Sequence, residues 1–375
     1  IDEVVAGAVT THSKDWNLAR EAVLSTSLSA NTPGITLQQA CGTSLQAALL
    51  SGAKIASGQI ECAIVAGTDT TSDVPVVFQD RFAKRLVALS RAKSLAQKRQ
   101  ALKGFKFSEL TPQPPRNAEP RTGLSMGEHC ERMAKAWQIP RQAQDELTLE
   151  SHQKAAQAWD EGFFDDLVIP HAGVLRDNII RPDTSADKLS SLKPAFDKKS
   201  GTLTAGNSTT LSDGSAAVLL ASEDWAKAHN LPIMAYLVGG KTAAVDHVDA
   251  EQGLLMAPTV AVSNLLTDLK LSLQDFDFYE IHEAFAAQVL CTLKAWESDQ
   301  YCRNQLGLSD ALGSIERSKM NVRGGSIAIG HPFAATGARI VSTLAAILQQ
   351  AGSGRGLISV CTAGGMGVAA VVERE

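Results

Sequence analysis

No apolar run in the 375 residues approaches the roughly 20 that a bilayer-spanning helix needs, which sets a helical membrane span aside. There is no CxxC pair either. Cys41, Cys62, Cys130, Cys291, Cys302 and Cys361 are scattered, which speaks against a zinc site or a disulfide framework and predicts free thiols in a reducing compartment. Positive charge is not in excess: 35 Lys and Arg stand against 40 Asp and Glu, a net charge of -5 that argues against general nucleic-acid binding. An initiator Met and a targeting segment are also missing before the first strand-like run, so the true N-terminus is expected to be absent or processed, and no localisation signal is legible. One stretch lacks acids altogether. From Arg81 to Lys106 there are nine cations (Arg81, Lys84, Arg85, Arg91, Lys93, Lys98, Arg99, Lys103, Lys106) and not one Asp or Glu.

What is present is an ordinary globular composition, 44% apolar and 20% charged, long enough for two or three packed units. Short β-prone runs, Val4–Val9, Ile35–Gln39 and Cys62–Gly67, alternate with helical stretches from about Leu18 to Leu28 and after Cys41, which predicts an α/β layered unit. Between Asp80 and about Leu211 that alternation is lost, and a mainly helical and loop insertion is expected. It resumes with Ala216–Leu220 and again from Ile233, and the chain closes on two buried-type strands, Gly356–Val360 and Gly367–Val372, flanking a glycine turn. Each half should contribute one sheet layer. In the acid-free stretch Phe82, Leu86 and Leu89 recur at helical spacing. The segment is read either as a solvated helix packed on the body or as a basic amphipathic surface for an anionic lipid, a partner subunit or a ligand phosphate.

Four stretches place a reactive group where an element ends. Gln39-Ala40-Cys41-Gly42-Thr43 sets a thiol at an apparent helix start, where unpaired N–H groups and the helix dipole favour the thiolate; the other reading is a small core cysteine. Tyr279-Glu280-Ile281-His282-Glu283-Ala284-Phe285 stops a strand at a His–Glu pair, structural or catalytic. Gly324–Gly337 surrounds His331 with glycine and follows it with Pro332, as suits either a base fixed at a helix start or an anion-binding loop. Cys361-Thr362-Ala363-Gly364-Gly365 puts a second thiol at a glycine turn, an acid or base with oxyanion-binding N–H groups beside it, or an incidental cysteine in a hairpin. A reaction that needs one thiol to hold an acyl group and another to move a proton would use both cysteines and a histidine.

Together these four motifs resemble the thiolase family over nearly the whole chain. The His282-Glu283-Ala284-Phe285 and Gly330-His331-Pro332-Phe333 strings are similar to the branch that holds trifunctional-enzyme β subunits and bacterial β-oxidation thiolases. The resemblance implies a five-layered α/β/α/β/α fold of two similar halves, residues 1–72 with 212–231 and residues 232–375, with a helical loop domain inserted at 73–211. It also implies that one strand–helix unit is absent before Ile1. The implied activity is CoA-dependent cleavage of a 3-ketoacyl-CoA to acetyl-CoA and a shortened acyl-CoA. Cys41 would carry the acyl group, His331 would activate it, and Cys361 would handle the proton on the departing acetyl carbon. One oxyanion hole would come from His331 with His282 or a water that it holds, the other from the N–H groups of Cys41 and Ala363. Ala205, Asn207 and Thr209 look like part of the pantetheine-binding loop, and Met126 and Phe285 are similar to residues lining the acyl end. CoA is then a substrate, with no permanent cofactor and no metal expected. A homodimer or tetramer is implied, with Arg81–Lys106 as a surface for a hydratase/dehydrogenase partner or an anionic membrane, in a bacterial cytoplasm or a mitochondrial matrix. Three positions depart from the family's usual pattern: Ala363 and Ala334 replace glycine, and Thr209 replaces serine. Competing readings are a condensing acetoacetyl-CoA thiolase, a non-catalytic scaffold of a β-oxidation complex, and a decarboxylating synthase, which would have no use for Cys361.

Overall fold

The computed structural model describes residues 1–14, 16–248 and 253–375. The first half opens with β1 (Glu3–Gly7), α1 (Leu18–Leu24), β2 (Gly34–Thr36), α2 (Thr43–Ala56) and β3 (Cys62–Asp69). A helical stretch follows: α3 (Asp80–Arg91), α4 (Leu95–Leu102), α5 (Met126–Ala136), α6 (Arg141–Asp160) and α7 (Ala186–Ser190). The chain then returns to the first sheet as β4 (Gly214–Ala221), continues through α8 (Glu223–Ala228), and starts a second sheet at β5 (Tyr236–Ala244). The remaining elements are α9 (Ala257–Leu269), β6 (Phe278–Ile281), α10 (Ala286–Trp296), α11 (Asp299–Leu306), α12 (Ser326–Ile329), α13 (Thr336–Ala351), β7 (Gly354–Thr362) and β8 (Met366–Arg374).

Two four-stranded mixed sheets result, in the orders β2-β1-β3-β4 and β5-β8-β7-β6. Within the first, β1 lies parallel to β2 and β3, and β4 runs antiparallel to β3 from Cys62↔Ala221 to Asp69↔Gly214. The second pairs β6 parallel to β7, while β7 and β8 form the expected hairpin. Helices α2 and α13 lie between the sheets: α2 touches β1, β3 and β4 on one side and β5 and β8 on the other, and α13 does the same with β3, β4, β7 and β8. Helix α1 covers the outer face of the first sheet and α9 that of the second, so the layers read α/β/α/β/α.

Composition explains which helices sit inside. A helix between two sheets is buried on all sides and must be slim where the sheets close on it. Helix α2 buries Leu45, Ala47, Ala48 and Ser51, and α13 meets it at Gly337, where a Cβ would lie 2.3 Å from the Leu45 nitrogen. Strands β7 and β8 are buried on both faces over most of their length, as expected for continuous apolar runs in a middle layer.

Several elements differ from the sequence expectation. The extended run predicted to Gln39 ends at Thr36, because the chain turns to bring Cys41 under α2, with Ala40 at φ 47°. Helix α1 stops at Leu24 rather than Leu28. Cys361 lies within β7, opposite Gly367, rather than on the turn; Gly364 and Gly365 make the turn with φ of 76° and 70°. The acid-free segment is two helices rather than one, broken at Ser94, which caps α4 through a capping box with Gln97.

Candidate active site

The nucleophile candidate is built by a short turn. The Thr43 hydroxyl donates to the Ala40 carbonyl and accepts from the Gln39 N–H, locking the left-handed Ala40 and leaving Cys41 just before the helix. The base candidate comes from the other half. His331 follows α12, its backbone N–H donates to the Thr210 carbonyl, and its Nε2 lies 3.0 Å from Cys41 Sγ. On the far side of the ring, Nδ1 lies 2.6 Å from Thr336 Oγ1 at the start of α13. A donor at Nδ1 leaves Nε2 free to accept the thiol proton.

Three stitches hold the two motifs in register. The Ser44 hydroxyl donates to the Ala334 carbonyl at 2.5 Å and accepts from the Ala338 N–H at 2.8 Å. Asp69, at the end of β3, accepts from the N–H groups of Val9, Thr10 and Ala334. The loop from Ala205 to Leu211 runs between both histidine motifs, with Thr209 N–H donating to Ala284 O, Ala286 N–H to Asn207 O, and the Thr209 hydroxyl to Ser326 O.

His282 stands beside His331, ring centroids 4.3 Å apart, and the Cys41 sulfur and one ring nitrogen from each of His282 and His331 lie within 4.8 Å of one another. Its Nδ1 is 2.8 Å from Ser326 Oγ, whereas its buried Nε2 has no partner. Such a trio is also a possible donor set for zinc, but a metal there would occupy the sulfur electron pair that acyl transfer requires. The N–H groups of Ala363 and of Cys41 itself are within hydrogen-bonding reach of the thiolate position. Ala363 keeps negative φ, so the side chain where the family usually has glycine strains nothing, and the positive-φ positions fall on Gly364 and Gly365. Glu119 anchors this turn by accepting from the Gly364 N–H at 2.9 Å.

Burial dominates the electrostatics. It pushes the Cys41 thiol up to about 12, against the pull of the Ala363 and Cys41 N–H groups, so the helix-start stabilisation of a thiolate expected from sequence is outweighed. Desolvation, and then the nearby Arg339 charge, bring His331 down to about 3. His282 is held well below the usual imidazole range by burial, by His331 and by Arg339. The Cys361 thiol is raised by burial and by the neighbouring Cys41. At neutral pH the resting site is therefore a neutral thiol on a neutral imidazole.

Of the residues expected at the ligand, Met126 and Phe285 do come together, packed with Cys361, Leu203 and Phe196 in one apolar cluster. Asn207 is different. Its amide donates to Asp145 and to the Thr202 carbonyl and its oxygen accepts from Thr204 N–H, so this fully buried side chain holds the loop's shape rather than facing a ligand. The Thr209 hydroxyl is likewise spent inside the protein, and Ala205 is exposed. Sequence reasoning missed Ser44, Asp69, Glu119, Ser326, Thr336 and Arg339. Three of these lie within or next to the glycine-rich stretch around His331, but nothing in one dimension says which ring nitrogen each would meet.

A layered α/β scaffold of two sheets that brings a thiol, two imidazoles and a second thiol together near its strand and helix ends is the setting of an acyltransferase. The chain belongs to the thiolase family: the model for the thiolase N-terminal domain matches residues 1–224 and that for the C-terminal domain residues 231–374. It is 42% identical to proteins named 3-ketoacyl-CoA thiolase from Yersinia pestis (strain Pestoides F) and Yersinia pseudotuberculosis serotype O:3 (strain YPIII), over 100% of this chain and 87% of each relative. Among solved structures, the Bacillus anthracis acetyl-CoA acetyltransferase superposes with a TM-score of 0.80 at 30% identity, covering 100% of this chain and 87% of that one. Human mitochondrial 3-ketoacyl-CoA thiolase in complex with CoA superposes with the same TM-score at 28% identity, covering 100% and 86%.

Proposed function

We propose that the chain cleaves 3-ketoacyl-CoA by thiolysis, with CoA as substrate and with Cys41, His331, Cys361 and His282 as its catalytic groups. The supporting observation is the 3.0 Å contact between Cys41 Sγ and His331 Nε2 in a site where the Ala363 N–H also reaches that sulfur. Cys41 passes its proton to His331 as the sulfur bonds to the 3-keto carbon. The oxyanion so formed is met by donors worth about 3–4 kcal/mol each. As the C3 carbonyl re-forms, now as a thioester of Cys41, the C2–C3 bond breaks, and Cys361 gives its proton to C2 to complete acetyl-CoA. In the second half, the Cys361 thiolate takes the proton of an incoming CoA thiol, whose sulfur attacks the thioester. Cys41 leaves as thiolate and recovers its proton from His331. The enolate-like oxygen of the acetyl unit is assigned to His331 and the Nε2 of His282, the tetrahedral oxygen to the N–H groups of Cys41 and Ala363. Intact-mass analysis after mixing with acetoacetyl-CoA should show an acetyl adduct that Cys41→Ala abolishes; an undiminished adduct in that variant overturns the assignment.

The finer partner reading is docking of the α3–α4 hairpin on an anionic bilayer, by a protein that is itself a homodimer or tetramer on family grounds. No residue of α3 or α4 is buried, and Phe78, Leu86, Val87, Leu95, Leu102 and Phe107 are exposed beside the cations. Arg85 is the exception among those cations: it bonds Glu109 and the carbonyls of Ala101 and Lys103, and so holds the hairpin together. The others form no ion pair among the described residues. Each charge near such a surface is worth about 1 kcal/mol and weakens with salt. Reversing Arg91, Lys98 and Arg99 to Glu should abolish salt-sensitive co-sedimentation with anionic vesicles and leave KM for CoA unchanged. Retained vesicle binding with a raised KM would instead make the segment a substrate clamp.

A further inference from the structure

The arrangement beneath His282 is more than packing. Ser326, fully buried at the start of α12, has two polar neighbours at its hydroxyl: Arg339 Nη2 at 2.7 Å, from the first turns of α13, and His282 Nδ1 at 2.8 Å. A guanidinium donates only, so the Ser326 oxygen must accept from Arg339. The hydroxyl proton then has one acceptor among the described residues, His282 Nδ1. A ring nitrogen that accepts is unprotonated, and in a neutral imidazole the proton must sit on the other nitrogen. That other nitrogen is Nε2, buried and unpartnered, on a ring whose centroid lies 4.3 Å from that of His331.

We propose that Arg339, acting through the Ser326 hydroxyl, sets the tautomer of His282 so that its Nε2–H faces the reacting groups. Arg339 and Ser326 are positioning residues; neither touches substrate. The inference rests on the reading of His282 as an oxyanion donor and deepens it. Without the relay, His282 could present a bare lone pair to a developing negative charge, which repels where a proton would attract. The fold makes the device workable because α13 carries both Thr336, which faces His331, and Arg339, which serves His282 through Ser326. One helix therefore contacts the Nδ1 side of both imidazoles, His331 directly through Thr336 and His282 through Ser326. The Arg339 charge also opposes protonation of either ring.

The test is ¹⁵N NMR of the full-length protein labelled at histidine, with the His282 ring assigned by its loss in His282→Gln, alongside thiolysis kinetics. The wild type is expected to carry the proton on Nε2, with Nδ1 unprotonated and hydrogen-bonded. Ser326→Ala should remove the Nδ1 hydrogen bond, mix the tautomers and lower kcat about tenfold with KM little changed, less than the loss of about 10²–10³ for deleting an oxyanion donor outright. Arg339→Met should mix the tautomers in the same way while keeping the serine. Should that variant fail to fold, Ser326→Ala still decides. A wild-type proton on Nδ1, or a Ser326→Ala protein with wild-type ring resonances and kcat, overturns the relay. Altered resonances with kcat unchanged in both Ser326→Ala and His282→Ala, which removes the donor, uphold the relay and overturn instead the reading of His282 as oxyanion donor.

Discussion

Two histidines with nearly the same burial differ in what their ring nitrogens meet. His331 has Thr336 on Nδ1 and the Cys41 sulfur on Nε2, whereas His282 has Ser326 on Nδ1 and an open Nε2. The nucleophile shows the same dependence on surroundings. With its thiol pushed up to about 12 by burial, Cys41 is held as the neutral thiol at pH 7. Alkylation of Cys41 by iodoacetamide, followed by peptide mass, should accordingly rise about tenfold per pH unit from pH 7 to 9 without levelling off. A plateau near neutrality would show a resting thiolate–imidazolium pair instead.

At the scale of elements, the 3.0 Å Cys41–His331 contact is a consequence of how closely α13 seats against α2. The contact point is Gly337, whose added Cβ would meet the Leu45 backbone nitrogen at 2.3 Å and leave the helices no way to yield except by separating. Gly337→Ala should cost about 1–3 kcal/mol of stability through overpacking. It should also lower kcat at least tenfold, because His331 moves with the start of α13 and Cys41 with the start of α2. Denaturant midpoint and steady-state kinetics together read this. An unchanged midpoint and kcat would mean that the seating of α13 on α2 does not set the catalytic distance. The α3–α4 hairpin is the converse case, an element that contributes nothing to the layered core and carries its charge outward.

For the whole molecule, enclosing a polar site between two sheets has a cost that depends on pH. His152 (about 4), His331 (about 3) and His282 stay neutral when folded but take up protons when unfolded below about pH 6.5. Their share of stability is intact above that pH and is lost as pH falls. Glu280, raised to about 8 by burial, and Glu283, also raised, act in the opposite sense: they keep a proton in the fold that the unfolded chain releases. The stability they contribute is present below about pH 4.5 and is lost as pH rises, for Glu280 up to about pH 8. Above about pH 6.5 the histidines no longer act, so the thermal midpoint should decline between pH 6.5 and 8 as the contribution of Glu280 is lost. Glu280→Gln, which keeps the shape and stays neutral, should flatten the decline between pH 6.5 and 8. If that limb is unchanged, Glu280 is already ionised in the folded protein.

How much of this was legible in one dimension follows from the range of the interactions. Periodicity and turn chemistry are local, so the α/β class, the β7–β8 hairpin, the mainly helical insertion after Asp80, and the placing of Cys41, His282, His331 and Cys361 at or near element ends could be read from the residues directly. The sequence also showed that Arg81–Lys106 carries unopposed charge, though not that Arg85 is already committed to Glu109. Partners distant in the chain were beyond it. Ser44 meets Ala334 and Asp69 meets Ala334 only because α2 and β3 of one half pack against the loop entering α13 of the other. Asn207, expected at the ligand by resemblance, has its amide held by Asp145 and the Thr202 carbonyl, partners that lie far from it or outside its motif. The protonation of the site was decided by tertiary structure as well. Sequence places a cysteine near a helix start and so favours its thiolate, but desolvation depends on everything packed around the sulfur, and two sheets closing on α2 and α13 make that larger than the pull of a helix dipole.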